Sequence, residues 1–346
     1  MESTPCPLCG QDAFVSVMKG RDLLFFCPGE FSIVRCTACA HAYLNPRPTL
    51  AEIGKFYPDD YGPHADESNA AKSDAGEQAI PVVESQDGDD APKSEPWYLS
   101  GFVRAIPGLR GFYYWLMRDR ALILPDVPRS EKRALDLGCG SGGDLVRLRD
   151  QGWNAEGVEL TPAAAEIARS RGFRVFTGTL EEAEFDNQTF DAVFASMVVE
   201  HLHDPIATLR EIDRILAEDG WVVFTVPNFG CWERWFFGRF WYALETPRHL
   251  QHFTPRTLKN MLQGEGYRQV RVVHQETCNQ VFGSLGIMLR QSGKMNGLAN
   301  RLVDVPHRPS MFGNLLRALP AKLLAWCGQA GRLTVLAQKP LGDKSS

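Results

Sequence analysis

The stretch "ALDLGCGSGGDL", Ala134 to Leu145, constrains the fold more than any other part of this 346-residue chain. An apolar run ends in a burst of glycines and then turns polar and amphipathic, which reads as a strand, a tight turn and a helix. Glycines let the backbone bend tightly and let a ligand approach amides that side chains would otherwise block. Gly138, Gly140 and Gly143 fit the dinucleotide spacing G-x-G-x-x-G, whereas Gly138, Gly140 and Gly142 fit the G-x-G-x-G of a different cofactor. The spacing alone leaves both open.

Strands and helices then alternate, the pattern of a parallel sheet covered on both faces. Strands are expected at 133–137, 154–160, 174–176, 190–195, 221–226, 268–274 and 333–338. Thr161-Pro162, Asp204-Pro205 and Thr254-Pro255 each pair an N-cap with a first-turn proline. Ile206, Leu209, Ile212 and Leu216 form an apolar helical stripe, which Gly220 is expected to terminate. The fold class is α/β and Rossmann-like, with helices on both faces of the sheet.

The main domain is expected over 131–340, with an aromatic lid insertion at 229–253 and a helical insertion at 281–330. Ahead of it, residues 62–96 are acidic and hold no aromatic side chain, so they read as a disordered linker. Residues 97–130 are aromatic and basic and read as a helical cap, with contact to a greasy substrate or a membrane face as the sharper alternative. Peripheral membrane contact is likewise the alternative for 281–330. Residues 1–61 form a separate cysteine-bearing module.

A net charge of -5 and a pI near 5.9 exert no global pull toward nucleic acid or anionic membrane. The start, "MESTPCPLCG", has no export signal, and no uncharged apolar run reaches ~18 residues. The nine cysteines are therefore expected to be thiols or metal ligands in a cytoplasmic protein. Cys6-x-x-Cys9 and Cys36-x-x-Cys39 supply four thiolates in two knuckles, which suits tetrahedral structural zinc better than two disulfides. Cys27 between them reads as a buried thiol that could substitute as a ligand. So small a module needs its metal, and stripping zinc is expected to unfold 1–61 while the main domain stays folded.

Glu159 closes the second strand about 20 residues past the glycines, where a carboxylate can bind ribose hydroxyls. Asp136 lies just before Gly138. A pyrophosphate there would meet a like charge, whereas a ligand carrying an ammonium and a sulfonium is attracted to it. The polar block "ASMVVEHLHDP" follows the fourth strand, at the end of the sheet where ligands bind. These features favour S-adenosylmethionine as the cofactor.

In order, "LDLGCGSGG", "GVELTPAAAEIARSRG", "FDAVFASMVVEHLHDP" and "LAEDGWVVFTVPN" resemble the class I S-adenosylmethionine-dependent methyltransferases. The likeness is greatest to the small-molecule group that includes ubiquinone-biosynthesis O-methyltransferases. It spans 133–228 and runs more loosely to 338. The resemblance implies a seven-stranded sheet with an antiparallel final strand. It implies that Asp136, Gly138 and Gly140, with Gly142 in the same turn, hold the methionine part and Glu159 the ribose. Thr179 and Leu180 would flank adenine with Met197 nearby, although relatives often place an acidic residue where this chain has Thr179. "HAYLNPRPTLAEIGKFYPDDY" is similar to the zinc-ribbon extension of some sugar and natural-product methyltransferases.

Methyl transfer asks the protein to align a nucleophile and take its proton. His201 is the leading base, since neutral imidazole titrates near physiological pH and the family places a histidine in this "EHL" block. Glu200 would orient it or bind a metal with it, and the bland alternative is a histidine that fastens the loop. "LETPRHLQHFTP" adds Arg248, His249 and His252, and the family carries a similar P-R-H-L block. Trp232, Trp235, Phe236 and Trp241 read either as a lid over an apolar acceptor or as packing at the sheet edge. His203 is expected to be solvated. The expected partner is a small methyl acceptor with an O or C nucleophile: a sugar, a polyketide-like ring or a quinone precursor. The alternatives are an RNA methyltransferase, disfavoured by the balanced charge of 1–61, and a non-catalytic protein that binds the methyl donor.

Overall fold

The computed structural model describes residues 1–57, 122–293, 295–306 and 311–340. The linker expected at 62–96 and most of the cap expected at 97–130 lie outside them. Two sheets form the framework. The first contains β1 (Phe14–Gly20), β2 (Phe31–Cys36) and β3 (Ala42–Leu44), followed by the short helix α1 (Leu50–Ile53).

The second sheet is built from β4 (Lys132–Leu137), β5 (Trp153–Glu159), β6 (Arg174–Thr177), β7 (Phe190–Ser196), β8 (Leu216–Pro227), β10 (Arg268–His274) and β11 (Arg332–Gln338). Its order is β10-β11-β8-β7-β4-β5-β6. β4 to β8 pair in parallel, while β11 runs antiparallel to both β8 and β10. The seven strands and the reversed last strand agree with the sequence reading. β4 lies between β5 and β7, where the strand order reverses, so a crevice opens at its carboxyl end.

The period-two alternation of the strands divides the core. Leu135, Leu137, Val193 and Phe224 face α4 (Pro205–Ile215) and α6 (Pro255–Gly264). Ala134, Ala192 and Val223 face α2 (Gly143–Asp150) and α3 (Pro162–Ser170). The expected caps form: Asp204 accepts from the Ala207 amide at 2.9 Å, and Thr254 from the Thr257 amide at 3.2 Å. One boundary moves. α4 stops at Ile215 rather than reaching Gly220, because Leu216, fully buried, pairs with Phe190 and begins β8. Between β10 and β11 come α7 (Asn279–Gln291), α8 (Asn296–Asp304) and α9 (Met311–Trp326), a helical cover as anticipated. Among the described residues no helix is long and apolar enough to cross a membrane.

The segment read as a lid is something else. Its end forms β9 (Gln251–His252), which pairs with β3 as the fourth strand of the first sheet, Tyr43 opposite Gln251. Within it, α5 (Trp232–Phe237) and the turns that follow bury Phe237, Trp241 and Leu244 against Phe31, Ile33 and Leu44. Of the large apolar side chains in this segment, only Trp235 and Phe236 stay exposed. Residues 229–253 thus share one core with the first sheet, and residues 1–57 do not stand apart as a separate module.

One buried ion pair joins the two parts. Arg248 is fully buried; its guanidinium donates to both Asp22 oxygens, at 2.7 and 3.0 Å, and to the Phe56 carbonyl at 3.0 Å. Burial alone would raise the Asp22 carboxyl, but Arg248 outweighs it and holds it below the usual range. The stabilisation is present above the ordinary carboxylate range and lost as pH falls through the lowered value. Asp22→Asn, which strips Arg248 of its bidentate anion, should cost about 3–5 kcal/mol in chemical denaturation. Replacing both partners by apolar residues, Asp22→Leu with Arg248→Met, should cost much less. A double replacement as costly as the single one would refute this account.

Candidate active site and cysteine cluster

The crevice at the end of β4 is made by the glycine bend. At Gly138 (φ +70°) a Cβ would lie 2.5 Å from Val198, so the turn passes directly under that side chain. Gly140 (φ +53°) differs: a Cβ there would meet nothing within 4 Å, and the backbone borders open space. Gly142 is the N-cap of α2. The Gly138 and Cys139 amides donate to the Val158 carbonyl at 2.8 and 3.1 Å, which ties the bend to β5.

Three carboxylates surround this bend. Glu159, nearly buried, accepts from the Gly140 amide at 2.9 Å and the Thr161 amide at 2.8 Å. Each oxygen keeps a further lone pair for a ligand hydroxyl. Asp136 is 3% exposed; burial, then the charges of Asp144 and Glu159, push its carboxyl well above the usual range. Asp144 is bound to Arg147 at 2.9 Å. Beyond β6, Thr179 caps a turn, its amide donating to Glu182 at 2.8 Å. The Leu180 side chain lies in the core and offers no surface to a ligand. Met197 adopts φ +58° with its amide donating to the Thr225 carbonyl at 2.8 Å.

Beside the bend, a single turn over Val199–His201 holds the histidine block. Glu200 is 1% exposed, and among the described residues neither carboxylate oxygen has a hydrogen-bond partner. Burial raises it to about 8. His201, partly exposed, places Nδ1 2.9 Å from the Tyr57 hydroxyl, and its ring stands edge-on to His249 at 4.7 Å. His249 Nδ1 lies 3.0 Å from the Ala243 carbonyl. Burial, and for His201 also the nearby His249, lowers both imidazoles to about 3, so both are neutral at physiological pH. One donor atom from each of Glu200, His201 and His249 falls within 4.8 Å of the others, close enough to share a cation.

The four sequence-predicted cysteines also converge. Cys6 and Cys39 have their sulfurs 3.5 Å apart, as do Cys9 and Cys36, and all four fall within 4.8 Å of one another. All are free thiols. Two knuckle turns present them, closed by the Gly10 amide on the Cys6 carbonyl and the Ala40 amide on the Cys36 carbonyl. Tetrahedral zinc with ~2.3 Å bonds to sulfur sets neighbouring sulfurs about 3.8 Å apart, so the cluster fits that metal. Cys27 stands outside it, next to Asp22.

Residues 110–272 match the family model described as a methyltransferase domain. The chain is similar to malonyl-[acyl-carrier protein] O-methyltransferase of Serratia marcescens, 27% identical over 128 residues, covering 36% of this chain and 49% of the relative. It is also similar to the ubiquinone biosynthesis O-methyltransferase of Alkalilimnicola ehrlichii, 30% identical over 104 residues, 28% of this chain and 42% of the relative. The chain thus spans about half the length of the curated relatives it matches. Among solved structures it resembles an S-adenosylmethionine-dependent methyltransferase from Thermotoga maritima, with a TM-score of 0.43, 16% identity, and coverage of 68% and 98%.

Of the residues singled out in the sequence, the structure brings together Asp136, Glu159 and the glycines, and separately Glu200, His201 and His249. It did not find Tyr57, which no spacing rule marks. His203, expected in solvent, instead meets the Pro48 carbonyl at 3.0 Å. Arg248, grouped with the acceptor-facing residues, is the clamp on Asp22. The glycine geometry separates two substitutions. Gly140→Ala should cost about 1–2 kcal/mol from its left-handed backbone alone. Gly138→Ala should cost about 1–3 kcal/mol more through overpacking on Val198. Equal losses in urea denaturation would remove that distinction.

Proposed function

We propose that this chain is an S-adenosylmethionine-dependent methyltransferase acting on an O or C nucleophile of a small molecule. The observation that carries it is Asp136, buried beneath the bend with Glu159 and Asp144 as neighbours. Such a site repels a pyrophosphate and favours a cation. Asp136 and the Gly138–Gly140 backbone would hold the methionine portion, and Glu159 the ribose. Bound S-adenosylmethionine supplies an electrophilic methyl group on a sulfonium. His201, neutral and partly exposed, takes the acceptor's proton, and the buried Glu200 lies behind it as a second proton-binding group. The Asp136→Asn variant should bind S-adenosylmethionine about 10–100-fold more weakly, the scale of a charged hydrogen bond. A cation lowers the raised Asp136 carboxyl, so binding should release a proton and tighten as pH climbs from the ordinary carboxylate range toward that raised value. Calorimetry in two buffers of different ionisation enthalpy reads both. Unchanged affinity and proton release in Asp136→Asn would sink the assignment.

The cysteine cluster is proposed to hold structural zinc, its closed four-sulfur set leaving no position for substrate. Since β9 belongs to the same sheet as the knuckle strand β2, metal loss should reach the main domain as well as residues 1–57. Cys36→Ser should lose stoichiometric zinc in elemental analysis and lower the melting temperature of the whole chain. A zinc-free wild-type protein melting normally would overturn the proposal.

A further inference from the structure

The loop carrying His201 is held from the first sheet's side. Arg47 donates to the His203 carbonyl at 2.6 Å, and His203 in turn meets the Pro48 carbonyl at 3.0 Å. Gln251 in β9 donates to the Leu202 carbonyl at 2.9 Å while its oxygen meets buried His41 at 2.9 Å. Arg248 fastens the Phe56 carbonyl, one residue before Tyr57. The Tyr57 hydroxyl then reaches His201 Nδ1 at 2.9 Å, with the two rings 6.2 Å apart. Residues 41–57 therefore close on 201–203 at several points, and one contact falls on the ring of the proposed base.

We propose that the cysteine-bearing N-terminal segment completes the acceptor site, with Tyr57 a positioning residue that accepts the Nδ1–H of His201 and leaves Nε2 as the proton-accepting nitrogen. This rests on the reading of His201 as the base. A neutral imidazole carries one proton on two nitrogens, and the partner of one nitrogen decides which of them keeps a lone pair. The Tyr57 hydroxyl oxygen has lone pairs to offer, so at 2.9 Å it can accept the Nδ1–H of a neutral imidazole. The edge-on packing of His249 limits rotation of the ring about this contact. The cysteine knuckles thereby bear on the site at a distance: through β2 and β3 they anchor the segment that runs on through α1 and a further helical turn to Tyr57.

The test is nitrogen-15 spectroscopy of the full chain with labelled histidine, the His201 signals being those lost in His201→Gln. In the wild type, Nδ1 should carry the proton and Nε2 should resonate as an unprotonated nitrogen. Tyr57→Phe, which keeps the ring and removes the oxygen, should shift His201 toward the Nε2–H form while the melting temperature stays close to wild type. A wild-type His201 already protonated at Nε2 overturns the proposal whether or not the variant folds, and so does an identical spectrum in a folded Tyr57→Phe. His201→Ala retaining full turnover would instead overturn the reading of His201 as base and leave the tautomer result standing.

Discussion

Arg248 carries a charge that never reaches water, and much of the architecture follows from where that charge is satisfied. A buried guanidinium needs an anion with matching fork geometry, and Asp22 from the first sheet provides it. The pair therefore fastens residues separated by more than half the chain. Around it, β9 extends the first sheet and buried aromatic residues of 229–253 pack against that sheet. The histidine block is tied on one side to the Rossmann-like sheet and on the other to the cysteine-bearing segment.

The glycine bend imposes a second constraint. Asp136 and Glu159 approach the same few backbone amides from neighbouring strands, and burial makes their shared negative charge expensive unless a cation arrives. The backbone is open where it needs to be, at Gly140, and tightly covered at Gly138.

Most of the large sheet was legible because its signals are local. Apolar strands, capped helix starts and the glycine turn each declare themselves within a few residues, and the seven strands appear within a few positions of where the pattern put them. Cys6, Cys9, Cys36 and Cys39 were legible for the same reason, since knuckle spacing is a short-range property. The misreadings all involve partners far apart in sequence. Leu216 looked helical by its stripe, yet β7 offered it a pairing edge. The tryptophans of 229–253 read either as a lid or as packing, and which of the two could not be decided locally because it depended on Phe31, Ile33 and Leu44 needing cover. Leu180, which the family resemblance sets beside adenine, turns its side chain into the core, a direction fixed by packing partners rather than by its neighbours in sequence. Tyr57 carried no signal because its meaning depends on a histidine 144 positions away.

The sequence by itself determined the alternation of strands and helices, the bend beneath the carboxylates and the four-sulfur cluster, since each follows from neighbours a few residues apart. Tertiary structure alone decided that β9 completes the first sheet, that Arg248 serves as a clamp, and that Tyr57 meets His201. Those outcomes depend on burying charge and aromatic surface against distant segments, and local propensity holds no record of which distant segment will be there.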